Sequence, residues 1–545
     1  MEGIAIGINN DLIKRVDFKV TKEHREIFDS TENDSERIYL LKKYAKGILG
    51  AHIQSMALAP GRFNVIGEHV DYHDGQFKTP EMAHLYSMGF AIQNNYIAAI
   101  AKRDDNKISM FHTSGDQNVE FDLTDLEKLQ KIEATERKNE VAAEQRFIPA
   151  WARHALGTLI QSQKLRKISG MNIILTSNIP YGAGLSNSAA NCIAVALAQD
   201  NIFSWKLSEM QLVTLARDGE HDAFVGSGCG WLDQLIIMFS KENAFTMIDY
   251  NRNKVSHFES KLPSDWQFIA ANTNVPHALE ATEYYDRKKE LMIVHDILKA
   301  LFPTKPYGST SLSLSELNWL TSIFDKKVPN VIFEEAGLKG IIDEEKIKEQ
   351  QAKFSLPHQS IIRSEFAKLN YQPPENLKVN RHLDLTPEQS FALNLRRMRH
   401  QLTSSFRVPL AGKAAKEGNP FALGEYIDAE GKSLRMSGDF QITGNNGAQD
   451  ALLDMGMKAG RGIYENGVFG RMLGGGGGGN VLFYLRKGDS NNAEDIKEYE
   501  RWRLSVEVMY KAWVEELKNP LRGQKVAVTF IGPVPSEGAH LVSLF

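Results

Sequence analysis

An α+β protein of two domains, with mixed β-sheets flanked by helices, is what the sequence predicts, and three observations lead there. The chain is 545 residues long, beyond the size at which a single hydrophobic core keeps growing. Short runs rich in β-branched and aromatic residues crowd the segment from Ser55 to Leu123, as strands of a sheet do. Helical spacing of apolar residues marks the segment ahead of it and resumes from Ala392 onward.

Taken in order, Arg37-Ile38-Tyr39-Leu40-Leu41-Lys42-Lys43-Tyr44 repeats its apolar residues on one helical face and predicts a leading helix. Ser55 to Ala59 reads as a strand, followed by strands at Tyr96–Ala101, Ile108–Phe111 and Val119–Leu123, the last alternating cleanly. The charged stretch Leu126 to Gln145 reads as a solvated helix without a functional role. A strand beginning near Gly170 runs into Ile179-Pro180-Tyr181-Gly182-Ala183-Gly184 and then into a small-residue helix over Ala189–Ala198. Trp266–Ala270 supplies another strand. Between about Phe302 and Gln389, prolines from Pro303 to Pro387 separate helical pieces whose aromatic and aliphatic content is too high for disorder, so an ordered surface insertion is expected, over an active-site mouth or in a subunit contact. Helices return at Ala392–Leu402 and Phe421–Leu434, and Lys525–Phe530 is expected to close a C-terminal sheet.

Composition excludes several classes of function. Hydrophobic residues at 42% and charged residues at 24% are those of a soluble globular protein. A net charge of −4 leaves no basic excess to neutralise a nucleic-acid backbone. Cys192 and Cys229 alone build neither a disulfide scaffold nor a cysteine zinc site. No apolar run approaches the roughly 20 residues that span a bilayer, and Met1-Glu2-Gly3 opens no secretory signal. No nucleic-acid or membrane partner and a cytoplasmic placement are therefore expected.

Chemistry is densest in Ala59-Pro60-Gly61-Arg62-Phe63-Asn64-Val65-Ile66-Gly67-Glu68-His69-Val70-Asp71-Tyr72. Carboxylates and amides hold polyols by paired hydrogen bonds, and the arginine fork holds phosphate oxygens. The segment reads as a site for a hydroxyl-rich anion acceptor, or as a polar turn before a strand in which arginine and glutamate satisfy each other. The loop Gly182-Ala183-Gly184-Leu185-Ser186-Asn187-Ser188, set between strand and helix, leaves backbone N–H groups at a helix N-terminus, where the helix dipole favours an anion such as phosphate. It is neither a Walker loop nor a nucleophile elbow, lacking Gly-Lys-Ser/Thr and Gly-x-Ser-x-Gly. Six glycines, Gly474 to Gly479, lie between strand-like flanks and allow close backbone approach. Asp233, among Trp231, Leu232, Leu235, Ile236 and Ile237, is either a buried structural acceptor or a tuned base. Cys229 reads as a packed side chain, with no neighbouring base to activate it.

The stretch Pro60 to Tyr72 resembles the galactokinase signature within the family of galacto-, homoserine, mevalonate and phosphomevalonate (GHMP) kinases. Ile179–Ala190 and Leu473–Asn480 are similar to that family's second and third motifs, in the family's order, and Gly228–Gln234 and Asn272–Tyr284 resemble further galactokinase segments. The resemblance implies a kinase domain over residues 1–250 carrying the sugar motif and phosphate loop, a second over 251–545 with the atypical insertion at about 302–389, and an active site in the cleft between them. The implied reaction is transfer of the ATP γ-phosphate to the anomeric hydroxyl of D-galactose, giving galactose 1-phosphate and ADP. Arg62 and Asp233 are then catalytic, and Arg62, Glu68, His69, Asp71, Gly230, Asp233 and Tyr284 hold the sugar. Gly182, Ala183, Gly184, Leu185, Ser186, Asn187 and Ser188 hold ATP, with Mg²⁺ at Ser188 and, on the acidic side, Glu220.

Three departures from the family pattern stand out. Asn187 takes the place of the middle serine of a triplet. Relatives carry an acid three residues before the residue equivalent to Phe224, where this chain has His221, with Glu220 and Asp222 on either side. The segment His73–Met82 carries Lys78 and Glu81 in normally apolar company. These leave two alternatives to a galactose kinase: a kinase for a related aldose such as N-acetylgalactosamine, and a non-catalytic galactose and ATP sensor. The sequence carries no indication of oligomeric state.

Overall fold

The computed structural model describes residues 14–15, 33–71, 85–113, 118–138, 145–223, 226–275, 291, 387–435, 440, 447–464, 467–476, 479–489, 491–516 and 528–544. The expected insertion lies outside these up to residue 386. Strands β1 (Lys14–Arg15), β2 (Ser55–Ile66), β3 (Tyr86–Lys102), β4 (Lys107–His112), β5 (Val119–Asp122), β6 (Met171–Ser177), β7 (Ala244–Asp249) and β8 (Lys254–Glu259) belong to a first sheet. β9 (Trp266–Asn272), β10 (Val468–Met472), β11 (Asn480–Arg486) and β12 (Thr529–Ile531) form a second, and β13 (His540–Leu541) returns to the first. Between and after them run α1 (Asp34–Leu49), α2 (Leu126–Lys138), α3 (Ala150–Leu165), α4 (Asn187–Phe203), α5 (Glu209–Asp218), α6 (Leu232–Phe239), α7 (Pro387–Glu417), α8 (Pro420–Leu434), α9 (Ala448–Arg461) and α10 (Ala493–Glu516). The fold is α+β with mixed sheets, as the sequence predicts. None of the described helices is long and apolar enough to cross a membrane.

The first sheet is ordered β1-β5-β4-β6-β3-β2-β13, with β7 pairing both β3 and β8. β4 and β6 run parallel and the other described pairs antiparallel. Side chains alternate along its central strands between two cores. Ala57, Ala59, Phe63 and Val65 of β2 face the main core with Tyr96, Ala98 and Ile100 of β3. Met56 and Leu58, with Ile97, Ala99 and Ala101, face a smaller core closed by Leu40, Leu41 and Ala45 of α1. Because both faces are covered, β2 is buried throughout. The strand expected to stop at Ala59 therefore continues into the signature as far as Ile66, and Gly67–Asp71 follow as a buried irregular segment. Pro60, which has no N–H for the ladder, sits where the β2–β3 register shifts between Pro60 and Arg62. α4 is likewise longer than the expected Ala189–Ala198, being apolar on most sides and buried.

In the second sheet β9 lies between β11 and β12, with β10 beyond β11, all antiparallel. One face, including Ile269, Val481 and Phe483, packs on Leu452 of α9 and on Trp502, Val506 and Tyr510 of α10. Trp266, Ala270, Leu482 and Tyr484 on the other face join the main core of the first sheet, and the Phe268 ring lies 5.7 Å from that of Phe63. The tip of β2 is thereby brought against the β10–β11 connection. Of the expected strand Lys525–Phe530, residues 525–527 lie outside the described set, and Thr529–Ile531 pairs with β9.

The helix expected within Leu126 to Gln145 is present at Leu126–Lys138, but it is solvated on one face only. Leu126, Leu129 and Glu133 of α2 are buried. Glu133 Oε1 accepts a hydrogen bond from Arg146 Nη1 at 2.9 Å, and Arg153 Nε lies 3.4 Å from its Oε2. Removing one partner of such a group leaves buried charge uncompensated. Glu133→Ala is expected to lower the unfolding free energy by about 3 kcal/mol, against less than about 0.5 kcal/mol for the exposed Glu127→Ala. Equal midpoints for the two variants in denaturant titrations would contradict this.

Candidate active site

Arg62, midway along the buried strand β2, reaches two elements. Its Nε donates to Asp233 Oδ1 at 2.7 Å and its Nη1 to the Gly184 carbonyl at 2.7 Å, while its backbone N–H donates to the Leu185 carbonyl at 3.1 Å. Burial alone would lower the guanidinium pKa, but the carboxylates of Asp233, Glu68 and Asp71 outweigh it and raise the value. Asp233 stands in the first turn of α6, where the helix dipole favours a carboxylate. Its side chain keeps 27% exposure, enough for a ligand to reach it, while Arg62 has almost none.

The second oxygen of Asp233 is also engaged, since the Ser186 hydroxyl donates to Oδ2 at 2.5 Å. Ser186 precedes α4 as its N-cap, yet its hydroxyl makes no cap bond and its backbone is left-handed, φ 60°. For a non-glycine residue that conformation costs roughly 1–2 kcal/mol. Two consequences follow. The first N–H groups of α4 lack a serine cap, and no acidic residue lies in the first turn to compete for an anion there. Asn187, the departure from the serine triplet, turns back to brace the loop, its Nδ2 donating to Ser177 Oγ at 2.9 Å and to the Ile179 carbonyl at 3.0 Å.

The glycine-rich β10–β11 connection closes on this loop. Asn480 N–H donates to the Ala183 carbonyl at 3.1 Å, and a Cβ on Gly479 (φ 87°) would lie 2.9 Å from the Ala183 carbonyl carbon, so only glycine fits. At the other end of the connection Gly474 N–H donates to Glu68 Oε1 at 2.9 Å. The same oxygen faces Arg471 Nη1 and Nη2 at 3.3 and 3.2 Å. Among the described residues Glu68 is thus held through one oxygen. His69, in the left-handed region at φ 58°, lies against Phe440 with ring centroids 4.5 Å apart.

Asp71 Oδ2 accepts the Leu232 N–H at 2.9 Å, next to Asp233. A Cβ at Gly230 would lie 2.0 Å from that oxygen, so the glycine makes room for the carboxylate. Burial pushes the Asp71 pKa up to about 6, the Leu232 N–H opposes this, and Asp233 and Glu68 push it further up.

Glu220 occupies a π-helical turn, Gly219–Ala223, at the end of α5. Such a turn holds one residue more than an α-turn, and it brings Glu220 rather than His221 inward. Glu220 Oε2 accepts from Gln234 Nε2 at 2.7 Å, and its carboxylate hydrogen-bonds Ser188. Burial, then the neighbouring Asp233, pushes its pKa up to about 7.

The fold thus gathers Arg62, Glu68, Asp71, Gly230, Asp233, Ser186, Ser188 and Glu220 into one region, with His69 buried beside Glu68 against Phe440. Tyr284 lies outside the described residues, as does His73–Met82. Sequence reasoning assigned nothing to Arg471 or Gln234. Each had a signal: Arg471 is the one charge in the strand Val468–Met472, and Gln234 is the one uncharged polar residue in the helix Leu232–Phe239.

Residues 152–241 match the family model for the GHMP kinases N terminal domain, and residues 46–77 match the galactokinase galactose-binding signature. Over these two stretches the chain is similar to the GHMP kinases. Within that family its similarities fall among galactokinases. A galactokinase of Thermotoga petrophila is 31% identical over 244 residues, 45% of this chain and 59% of its own length. One from Limosilactobacillus fermentum is 27% identical over 462 residues, 83% of this chain and 91% of its own. The first curated relatives are thus matched over little more than half of their length. Among solved structures, Lactococcus lactis galactokinase complexed with galactose shares the fold with a TM-score of 0.59, at 20% identity over 92% of this chain and 98% of that one.

The Asp71 environment has a measurable consequence. Its folded pKa is raised from 3.8 to about 6, so the proton it retains on folding stabilises the protein below about pH 4, and that contribution is lost as pH rises through about 6. Relative to wild type, Asp71→Asn should gain about 3 kcal/mol of unfolding free energy between about pH 4 and about pH 7. Parallel stability curves for the two proteins would contradict the assignment.

Proposed function

We propose that this chain is a sugar kinase that transfers the γ-phosphate of ATP to the anomeric hydroxyl of D-galactose, giving galactose 1-phosphate and ADP. The observation that carries the reading is the Arg62–Asp233 pair lying against the uncapped N-terminus of α4. A guanidinium and a partly exposed carboxylate there face the place where helix N–H groups attract phosphate. The galactokinase galactose-binding signature over residues 46–77 supports galactose as the acceptor.

In this reading the triphosphate lies over Gly182 to Ser188, with Asn187 acting as a brace for the loop. Arg62 stabilises charge on the transferring group through its planar fork. Phosphoryl transfer needs mainly positioning and charge neutralisation, so Asp233 orients the attacking hydroxyl and accepts its proton as the bond to phosphorus forms. Glu68, Asp71 and the Gly230 turn hold the remaining hydroxyls of the sugar. The oxygen pair of Ser188 and Glu220 suits Mg²⁺, a hard cation that binds through one or two protein oxygens together with substrate phosphates. When bound there, it would neutralise phosphate charge. Among the described residues no group of three His, Cys, Asp or Glu forms a separate metal site. The division of the chain into domains 1–250 and 251–545 belongs to the same proposal.

ADP release with ATP and Mg²⁺ should occur with galactose in a panel that also holds N-acetylgalactosamine, glucose, arabinose and galacturonate. It should stop on chelation of the divalent cation. Asp233→Asn keeps an acceptor for Arg62 but not the base, and should lower kcat by about 10²-fold. Near-normal turnover by that variant would refute the role of Asp233. Silence on every sugar, with ATP and galactose still bound, would replace the kinase by a sensor.

A further inference from the structure

We propose, on the kinase reading above, that Gln401 is a positioning residue for the sugar. By binding the His69 carbonyl it sets the backbone from which Glu68, His69 and Asp71 reach the proposed sugar site.

Gly67–Asp71 leave the β2–β3 ladder and are buried, and a buried carbonyl needs a donor. Three successive carbonyls of this segment take theirs from side chains. Ser87 Oγ donates to the Gly67 carbonyl at 2.8 Å, His400 Nε2 to that of Glu68 at 3.1 Å, and Gln401 Nε2 to that of His69 at 2.9 Å. α7 supplies two of the three from adjacent positions. His400 is itself fixed: the Glu68 carbonyl requires the proton on Nε2, so Nδ1 of the neutral ring accepts from the Ser433 hydroxyl at 2.9 Å. Its ring lies 4.9 Å from that of Phe440, the ring on which His69 stacks. Further along α7, Val408 meets the start of the segment, where a Cβ on Gly67 would lie 3.0 Å from Val408 Cγ2.

α7 is thus the surface on which the segment is laid, and among these contacts that of Gln401 bears on the residue with the least stable backbone. His69 is left-handed at φ 58°, a conformation that a non-glycine residue keeps only where its surroundings impose it. The direction of the carbonyl that Gln401 holds is set by ψ of that same residue. Release of the carbonyl frees His69 to leave the left-handed region. A change of φ and ψ at one residue swings the chain on either side of it, with Glu68 on one side and Asp71 on the other. Gln401, half-buried, therefore acts on the sugar through the backbone of His69.

The test is steady-state kinetics of the full chain, with galactose and ATP varied separately, for Gln401→Met and Gln401→Glu. Both keep the length of the side chain, and neither methionine nor ionised glutamate donates a hydrogen bond. Galactose KM should rise by about ten-fold in each, with ATP KM and kcat within about two-fold of wild type, the pattern left by losing an interaction that serves ground-state binding. A role in folding alone would lower the denaturation midpoint and the yield of active protein and leave both KM values where they were. Gln401→Glu, isosteric with the native side chain, covers the case of a poorly folding methionine variant, and calorimetric titration of galactose checks that the KM change is a change in binding. A galactose KM unchanged in the variants, or one that rises together with ATP KM, would overturn the proposal. Wild-type turnover separates the outcomes. Turnover on galactose with an unchanged KM in the variants rejects the role of Gln401 alone, whereas absent turnover and absent galactose binding in wild type reject the kinase reading and this proposal with it.

Discussion

The site depends on a guanidinium without exposure to solvent, that of Arg471. The β2–β3 register shifts between Asn64 and Ile66, which leaves carbonyls of β2 out of the regular ladder. Arg471 fills the gap: Nη2 donates to the Asn64 carbonyl at 2.6 Å and Nε to the Val65 carbonyl at 3.0 Å, while both terminal nitrogens face Glu68 Oε1. One side chain of β10 thus fixes the end of the first motif, where the residues proposed to hold the sugar begin. The buried charge is balanced locally. Burial alone would raise the Glu430 pKa, yet Arg407, then His400 and Arg471, hold it at about 2, so it stays ionised among these cations. Buried ion groups of this kind are costly to assemble and more costly to leave incomplete.

From that anchor the three motifs form a closed chain of contacts. Arg471 and Gly474 hold Glu68, Asn480 holds Ala183, and Gly184 and Leu185 hold Arg62. Arg62 in turn holds Asp233, to which Ser186 returns. Most links use backbone groups, which explains why glycines dominate: close backbone approach at Gly230 and Gly479 leaves no room for a Cβ. Such an arrangement holds its donors in place, as the proposed phosphoryl transfer would require.

Much of this was legible in the sequence because the relevant chemistry is written in residue types at short spacing. Arg62, Glu68 and Asp71 fall within ten residues of one another, and the strand-loop-helix around Gly182 to Ser188 reads directly as an anion site. What was not legible depends on long-range packing. The α2 stretch is rich in charge, so local pattern suggests solvent, but Arg146 and Arg153 convert Glu133 into a buried partner. Glu220 was named from the sequence, but the π-helical turn that turns it inward has no sequence signature that spacing rules detect. The continuation of β2 into the signature follows from cores on both faces, one of them closed by α1, which no local window reveals.

The central claim is the identity of the bond formed, and phosphorus NMR of the product tests it most directly. After incubation of the chain with ATP, Mg²⁺ and galactose, the account predicts ADP and a phosphate monoester split into a doublet by the single hydrogen on C1. A triplet from phosphate on the primary hydroxyl, or inorganic phosphate as the sole new resonance beside ADP, would contradict it.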